Sequence, residues 1–112
     1  MVSKVLVLLN AGPEDPTRVQ SALGFANMLH RSPDVESVAL IFFGNAVELL
    51  RDPQYADRAS EIISNGTLTL ACQAHAEHKQ IKDELSKGPV PLKYVGEDIV
   101  RLINEGYQVV SF

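Results

Sequence analysis

Cys72 is the one strong nucleophile of this chain, and two basic side chains follow it at helical spacing. It stands where a predicted strand passes into a predicted helix, whose free N–H groups and positive dipole end favour an anion. His75 and Lys79 come three and seven residues later, on the same side of that helix, and each can add positive charge. The pattern predicts a reactive thiolate at Cys72, with His75 and Lys79 as its electrostatic support.

A structural role for Cys72 stays open, because lone cysteines often pack as small hydrophobic side chains. His78 shares a predicted helical stripe with Ile81 and Leu85, and we expect it to face the body of the protein or a subunit contact. Cys72, His75 and His78 spread over about a third of the circumference of the predicted helix, and no fourth ligand is evident. We therefore predict no metal site.

Asn10 and Gly44 follow two other predicted strands. In open α/β sheets, ligands bind beyond the carboxyl ends of the strands, so we expect both residues to line the same pocket as Cys72. Residues 10–13 lack the Gly-Lys-Ser/Thr core of a phosphate-binding loop, and the chain has no GxGxxG dinucleotide fingerprint. The nucleophile elbow of a hydrolase is also missing. The sequence thus predicts no bound cofactor.

Strand patterns alternate with helical patterns along the chain. The first two strands are near-continuous apolar runs, which is typical of parallel sheets covered on both faces. Helices between successive strands imply right-handed crossovers and a mostly parallel sheet, although the order of the strands is not predicted. The predicted strands are residues 5–9, 38–43, 67–71, 92–95 and 107–112, and the predicted helices are 14–30, 46–50, 55–64, 73–87 and 96–105.

The composition is that of one globular α/β domain over residues 1–112. The chain is 46% hydrophobic and 21% charged, which excludes intrinsic disorder. Its net charge of −4 argues against a nucleic-acid partner, which would need a basic face. The longest apolar runs are too short to span a membrane, and one cysteine cannot form an intramolecular disulfide. We expect a cytoplasmic protein with no membrane partner.

Five short motifs follow one another in order: residues 44–50 (GNAVELL), the Asn65-Gly66 turn, Leu70-Ala71-Cys72, Tyr94-Val95-Gly96 with Ile99, and Glu105-Gly106-Tyr107. This ordered set, with a cysteine at that strand end, resembles the DsrE/DsrF-like family of small sulfur-relay proteins. The resemblance covers nearly the whole chain.

The resemblance implies a three-layer α/β/α sandwich with a five-stranded, mostly parallel sheet, assembled as trimers or hexamers. In sulfur-transfer members of the family, the cysteine that matches Cys72 accepts a sulfane sulfur as a persulfide and passes it to a partner. The partners would be sulfur donor and acceptor proteins or small sulfur compounds. The chain departs from many relatives at Ala74, where they have Asn two positions after the cysteine.

Two hypotheses follow for the function. The first is a sulfur carrier or sulfurtransferase-like protein that holds a persulfide on Cys72. The second is a non-catalytic module that binds a small anion or nucleotide, or a structural subunit of an oligomeric complex, in which Cys72 is inert. The sequence leaves open whether the protein is an enzyme.

Overall fold

The computed structural model describes residues 3–112, with five strands and five α-helices. The strands are β1 (Ser3–Leu9), β2 (Val35–Phe42), β3 (Leu68–Cys72), β4 (Leu92–Lys93) and β5 (Gln108–Ser111). The helices are α1 (Pro16–Arg31), α2 (Pro53–Ser64), α3 (Gln73–His78), α4 (Lys82–Leu85) and α5 (Gly96–Asn104), with a 3₁₀ segment at Gly44–Arg51 between β2 and α2.

The sheet has the order β4-β3-β2-β1-β5, and every neighbouring pair of strands is parallel. The predicted α/β fold with a five-stranded, mostly parallel sheet is confirmed, and the sheet is wholly parallel. The most apolar strands, β1 and β2, lie inside the sheet, where both of their faces are covered. Side chains such as Leu6, Leu40 and Ile41 are fully buried there.

Helices cover both faces of this sheet and make three layers. On one face α1 and α2 are joined by Gln20, whose side chain bonds to Tyr55 and Arg58. Helix α5 lies on the other face. Its Asp98 binds Lys93 of β4, and the carbonyl of Glu105 accepts a bond from Lys4 of β1. Lys4 and Lys93 share that face of the sheet, as strand alternation and the register of the ladders require.

The predicted helix 73–87 is wrong, because the chain forms two short helices there. Gln80, between α3 and α4, has φ of 60°, a left-handed conformation that ends an α-helix. Because of this break, residues before and after Gln80 do not share one helical stripe. Ile81 and Leu85 are buried, but His78 is exposed, so His78 does not face the body of the protein. A subunit contact at His78, the other expectation, stays a prediction.

The observed strand boundaries lie within one or two residues of the predicted ones except at the beginning of β2 and the end of β4. β2 begins at Val35, three residues early, because Val35 and Ser37 pair with Ser3 and Lys4 of β1, and Glu36 lies at an irregularity between these two pairs. β4 contains only Leu92 and Lys93 rather than residues 92–95, since Val95 already precedes α5 as its N-cap. The sheet therefore has one very short edge strand, and it is the strand beside Cys72.

Candidate functional site

Cys72 ends β3 and is the N-cap residue of α3, as the sequence predicts. Its side chain makes no capping hydrogen bond to the helix, and the residue is only 4% exposed. It belongs to the hydrophobic core cluster that the sheet and its helices share. The thiol thus occupies the predicted place at the strand end, but it lies beneath the surface of the isolated chain.

His75 connects α3 to the end of β2. Its Nδ1 accepts a hydrogen bond of 3.1 Å from the backbone N–H of Gly44, and its ring lies edge-on to Phe43 with 4.5 Å between the centroids. An imidazole that accepts at Nδ1 is neutral and carries its proton on Nε2. In this arrangement His75 offers an N–H donor instead of the positive charge expected from the sequence.

Lys79 directs its charge to another partner. Its Nζ lies 3.9 Å from a carboxylate oxygen of Glu48, on the 3₁₀ segment. The pair joins the end of α3 to that segment, beside the ion pair of Arg51 and Glu84 at 2.6 Å. These two ion pairs join the 3₁₀ segment to α3 and α4. Lys79 therefore has a structural partner besides any role near Cys72.

Asn10 and Gly44 meet at the carboxyl ends of β1 and β2. Gly44 has φ of +56°, and a Cβ added there would lie 3.6 Å from Oδ1 of Asn10. Since Gly44 also binds His75, the structure brings Asn10, Gly44 and His75 into one group. Asn10 is exposed and lines a cavity of about 540 Å³ together with Arg18 and Ser111.

The structure places a polar crevice beside Cys72 that the sequence analysis missed. Lys93 of β4 is the Cα partner of Cys72 in the ladder, so the two residues lie side by side. The carboxylate of Asp98, with a side chain only 8% exposed, lies 3.5 Å from the Lys93 amine and 2.9 Å from the Arg101 guanidinium. Lys93, Asp98 and Arg101 line a crevice of about 520 Å³ together with Gln73, Tyr94 and Glu97. No local motif reveals it, because the register of a two-residue strand cannot be read from the sequence.

Glu77 bonds to two of the residues that line this crevice, Gln73 and Tyr94. Hydrogen bonds from the Gln73 amide and the Tyr94 hydroxyl, and the charge of Lys82, hold the pKa of its carboxyl below the ordinary value. The same contacts join α3 to the connection between β4 and α5. The first turn of the helix after Cys72 is thereby fixed to the edge of the sheet.

The described part of the chain contains no group of three or more His, Cys, Asp or Glu side chains that could hold a metal ion. None of the helices within residues 3–112 is long and apolar enough to cross a membrane.

Comparison with known proteins identifies the family. No curated protein matches the chain. Two solved structures share its fold: protein BT1422 of unknown function from Bacteroides thetaiotaomicron (TM-score 0.79, 18% identity, 98% of this chain and 95% of that one), and protein MTH1491 of unknown function from Methanobacterium thermoautotrophicum (TM-score 0.78, 23% identity, 98% of this chain and 99% of that one). A family model matches residues 3–112, nearly the whole chain, and the protein therefore belongs to the DsrE/DsrF-like family.

Proposed function

We propose that the protein is a sulfur carrier, which holds a persulfide on Cys72 and relays the sulfur to a partner. The observation that carries the proposal is the position of the only cysteine, at the carboxyl end of β3 and directly before α3, in a chain of a family associated with sulfur relay. In parallel α/β sheets this is the end where reacting groups collect. A reducing cytoplasm, where a lone thiol stays unpaired, suits this function.

The proposed relay has two displacement steps. The Cys72 thiolate attacks a sulfane sulfur of the donor, a new S–S bond forms, and the donor's own bond to that sulfur breaks as its leaving group takes the electron pair. An acceptor thiolate then attacks the outer sulfur of the persulfide, and Cys72 leaves as the thiolate. No second cysteine is available in the chain to capture the sulfur, so the acceptor is another molecule.

The residues around the strand ends would support these steps in different ways. His75, fixed by the N–H of Gly44, offers its Nε2–H as a donor to an anionic sulfur. Asn10 packs beside Gly44 and helps to set that geometry. Lys79, paired with Glu48, contributes less than the sequence suggests.

Access to the sulfur is the main requirement of the proposal. Because Cys72 is 4% exposed, a donor reaches it only when a neighbouring element opens. Its neighbour β4 pairs through two residues, and α3 has only six residues. We therefore expect both elements to open locally at a lower free energy than the middle of the sheet.

Intact-mass measurement after incubation with polysulfide tests the proposal. We expect wild-type protein to gain the mass of one sulfur under native conditions and to lose it to an added small thiol. Cys72→Ser should gain nothing. The proposal is wrong if native wild type shows no adduct, or if Cys72→Ser gains the same mass.

The burial of Cys72 favours a second candidate function. In it the protein is a non-catalytic module that binds a small anion or nucleotide, or a structural subunit of a complex, and Cys72 is part of the core. The rate of thiol alkylation separates the two. A native protein whose thiol reacts only as fast as the whole chain unfolds supports this second function, whereas faster reaction through local opening supports the carrier.

The proposed assembly and partners follow from the family resemblance. We propose a single DsrE-like domain that forms a homo-oligomer, a trimer or a hexamer, and exchanges sulfur with donor and acceptor proteins or small sulfur compounds. Sedimentation of the wild-type protein gives the assembly size directly.

A further inference from the structure

The crevice beside Cys72 lies at the topological switch point of the sheet. From β1 to β4 the chain crosses the sheet in one direction, so right-handed crossovers place α1 to α4 on one face. From β4 it crosses back to β5, and α5 covers the other face. The connections that follow β3 and β4 therefore leave toward opposite faces. In open α/β sheets, ligands bind in the gap between two such connections.

Cys72 is directed to the face of the sheet on which this crevice is built. Cys72 and Lys93 are Cα partners, and paired residues of a parallel ladder direct their side chains to the same face. The Lys93 amine contacts Asp98, so this is the face that α5 covers. Gln73, directly after Cys72, also lines the crevice and bonds to Tyr94. A molecule in the crevice therefore lies next to the strand end that carries the sulfur.

Asp98 has a carboxylate oxygen that no described protein group uses. Its side chain is only 8% exposed, and the bonds from Lys93 (3.5 Å) and Arg101 (2.9 Å) both end at Oδ1. Among residues 3–112 no hydrogen bond reaches Oδ2. No inaccessible side-chain oxygen or nitrogen in this range lacks a partner, so Oδ2 is accessible, and Asp98 lines the crevice. Oδ2 is therefore available to a hydrogen-bond donor in the crevice.

The four charged side chains that line the crevice are of both signs, since Glu97 and Asp98 are acidic and Lys93 and Arg101 are basic. Arg101 already binds Asp98 and Glu105. Lys93 is the cation left for a ligand, because it is half exposed and only one contact, at 3.5 Å, occupies its three N–H groups. Glu97 is exposed. A purely anionic ligand would meet two carboxylates here, whereas a zwitterion finds a partner for each of its charges.

We propose that this crevice binds the sulfur donor and that the donor is the hydropersulfide of an α-amino acid of the size of cysteine. Its ammonium group binds Oδ2 of Asp98 and the carboxylate of Glu97, its carboxylate binds Lys93, and its sulfane sulfur is presented to Cys72. A volume of about 520 Å³ is typical of small-molecule sites. The inference rests on the proposed function of Cys72 as a sulfur carrier and names the substrate class.

Sulfur transfer from this donor needs no further reactant. The Cys72 thiolate attacks the outer sulfur of the neutral hydropersulfide, and a new S–S bond forms. The S–S bond of the donor breaks, the amino acid leaves as its thiolate with the electron pair, and the hydrogen stays on the transferred sulfur. Because Cys72 is 4% exposed, the step requires the edge at β3 and β4 to open, and a donor held at that edge is in place when it does.

Binding is tested with S-methylcysteine, a zwitterion that cannot donate sulfur. We expect saturable NMR shifts of the Gln73 and Tyr94 amides. N-acetyl-S-methylcysteine, which lacks the ammonium group, and S-methylcysteamine, which lacks the carboxylate, should bind at least about tenfold more weakly. Asp98→Asn should weaken the binding of S-methylcysteine to a similar extent but leave that of the N-acetyl compound as it is. Circular dichroism checks its folding, and Glu97→Gln, at an exposed position, makes the same comparison if Asp98→Asn does not fold.

Transfer rates at Cys72, followed by intact mass at low donor concentration, test the role of each charge. In Glu97→Gln the rate from cysteine hydropersulfide should fall about threefold, whereas the rate from inorganic polysulfide, a dianion, should rise because a repelling carboxylate is gone. Lys93→Met should slow both reactions. The controls are Glu61→Gln on α2 and Lys87→Met after α4, which make the same changes at exposed positions and should alter neither rate.

The outcomes separate this inference from the proposed function. Suppose that polysulfide adds sulfur to Cys72. The carrier function then stands, but the inference is wrong if S-methylcysteine does not bind, if it binds equally well without its ammonium group, or if Glu97→Gln changes both rates in the same direction. If no donor adds sulfur to Cys72, the carrier function itself is wrong, and the inference about its donor is wrong with it.

Discussion

At the scale of single residues, the group at the strand ends is made by backbone atoms as much as by side chains. Gly44 supplies the N–H that orients His75, and its left-handed conformation is one that glycine adopts without strain. His75 is 31 positions further along the chain, so no local pattern predicts this bond. From the sequence we expected His75 to supply positive charge near Cys72, whereas in the structure its Nδ1 accepts the N–H of Gly44.

Two glycines provide a matched test of backbone packing. A Cβ on Gly12 would lie 2.8 Å from the carbonyl carbon of Asn45, whereas a Cβ on Gly24, inside α1, meets nothing within 4 Å. We expect Gly12→Ala to lower the free energy of unfolding by about 1–3 kcal/mol, because the backbone of the 3₁₀ segment must shift. Gly24→Ala should raise it by about 0.5–1 kcal/mol, because alanine favours the helix.

Urea denaturation of both variants measures these changes, with unchanged m-values as the sign that only stability differs. A Gly12→Ala protein as stable as wild type would show that Gly12, after β1, does not pack as closely against Asn45, after β2, as the structure has it.

The carboxyl group of Glu77 gives a prediction about pH. The Gln73 amide is the largest cause of its lowered pKa, followed by the Tyr94 hydroxyl. A pKa below the unfolded value means a contribution to stability that is present above the unfolded pKa and is lost as the pH falls through the folded pKa. In Gln73→Ala we expect the pKa of Glu77 to rise toward its ordinary value, followed by NMR of the side-chain carboxyl carbon.

Gln54→Ala is the control, since that glutamine is exposed at the beginning of α2 and its side chain has no bond to Glu77. A Glu77 titration that is the same in Gln73→Ala and wild type would mean that the two side chains are not in contact in solution.

At the scale of elements, the sequence predicts strands better than it predicts helix ends. Apolar runs fix the positions of β1 and β2, since only a strand covered on both faces needs such a run. The break between α3 and α4 has no such signal, because the left-handed residue is Gln80 instead of glycine or asparagine. The crevice beside Cys72 depends on the register of β4, which no sequence pattern gives, so it could not be foreseen.

The break itself makes a prediction. The left-handed conformation is strained for glutamine but not for glycine. Gln80→Gly should therefore raise the free energy of unfolding by about 0.5–1 kcal/mol. Gln54→Gly, the same substitution in the first turn of α2, should lower it by up to about 1 kcal/mol. Thermal melting or urea denaturation of the two variants measures both signs, and a destabilised Gln80→Gly would contradict a left-handed residue at this position.

At the scale of the whole molecule, the order of the strands sets which parts open together. β1 and β2 align over seven residue pairs in the middle of the sheet, whereas β3 and β4 align over two at its edge. Leu40 of β2 and Ala71 of β3 are both fully buried, so burial does not distinguish them. Their amides differ in their partners: Leu40 lies between two inner strands, and the N–H of Ala71 bonds to the carbonyl of Pro91, beside β4.

Hydrogen exchange of these two amides therefore tests the proposed access to Cys72. We expect the amide of Leu40 to exchange only through global unfolding, at a rate that rises steeply with denaturant. The amide of Ala71 should exchange at least about tenfold faster, at a rate that hardly changes at low denaturant, because opening of β4 alone exposes it. If Ala71 is as protected as Leu40 and equally sensitive to denaturant, the edge beside Cys72 does not open by itself. A donor would then reach the sulfur only in the unfolded chain, and the second, non-catalytic function would be favoured.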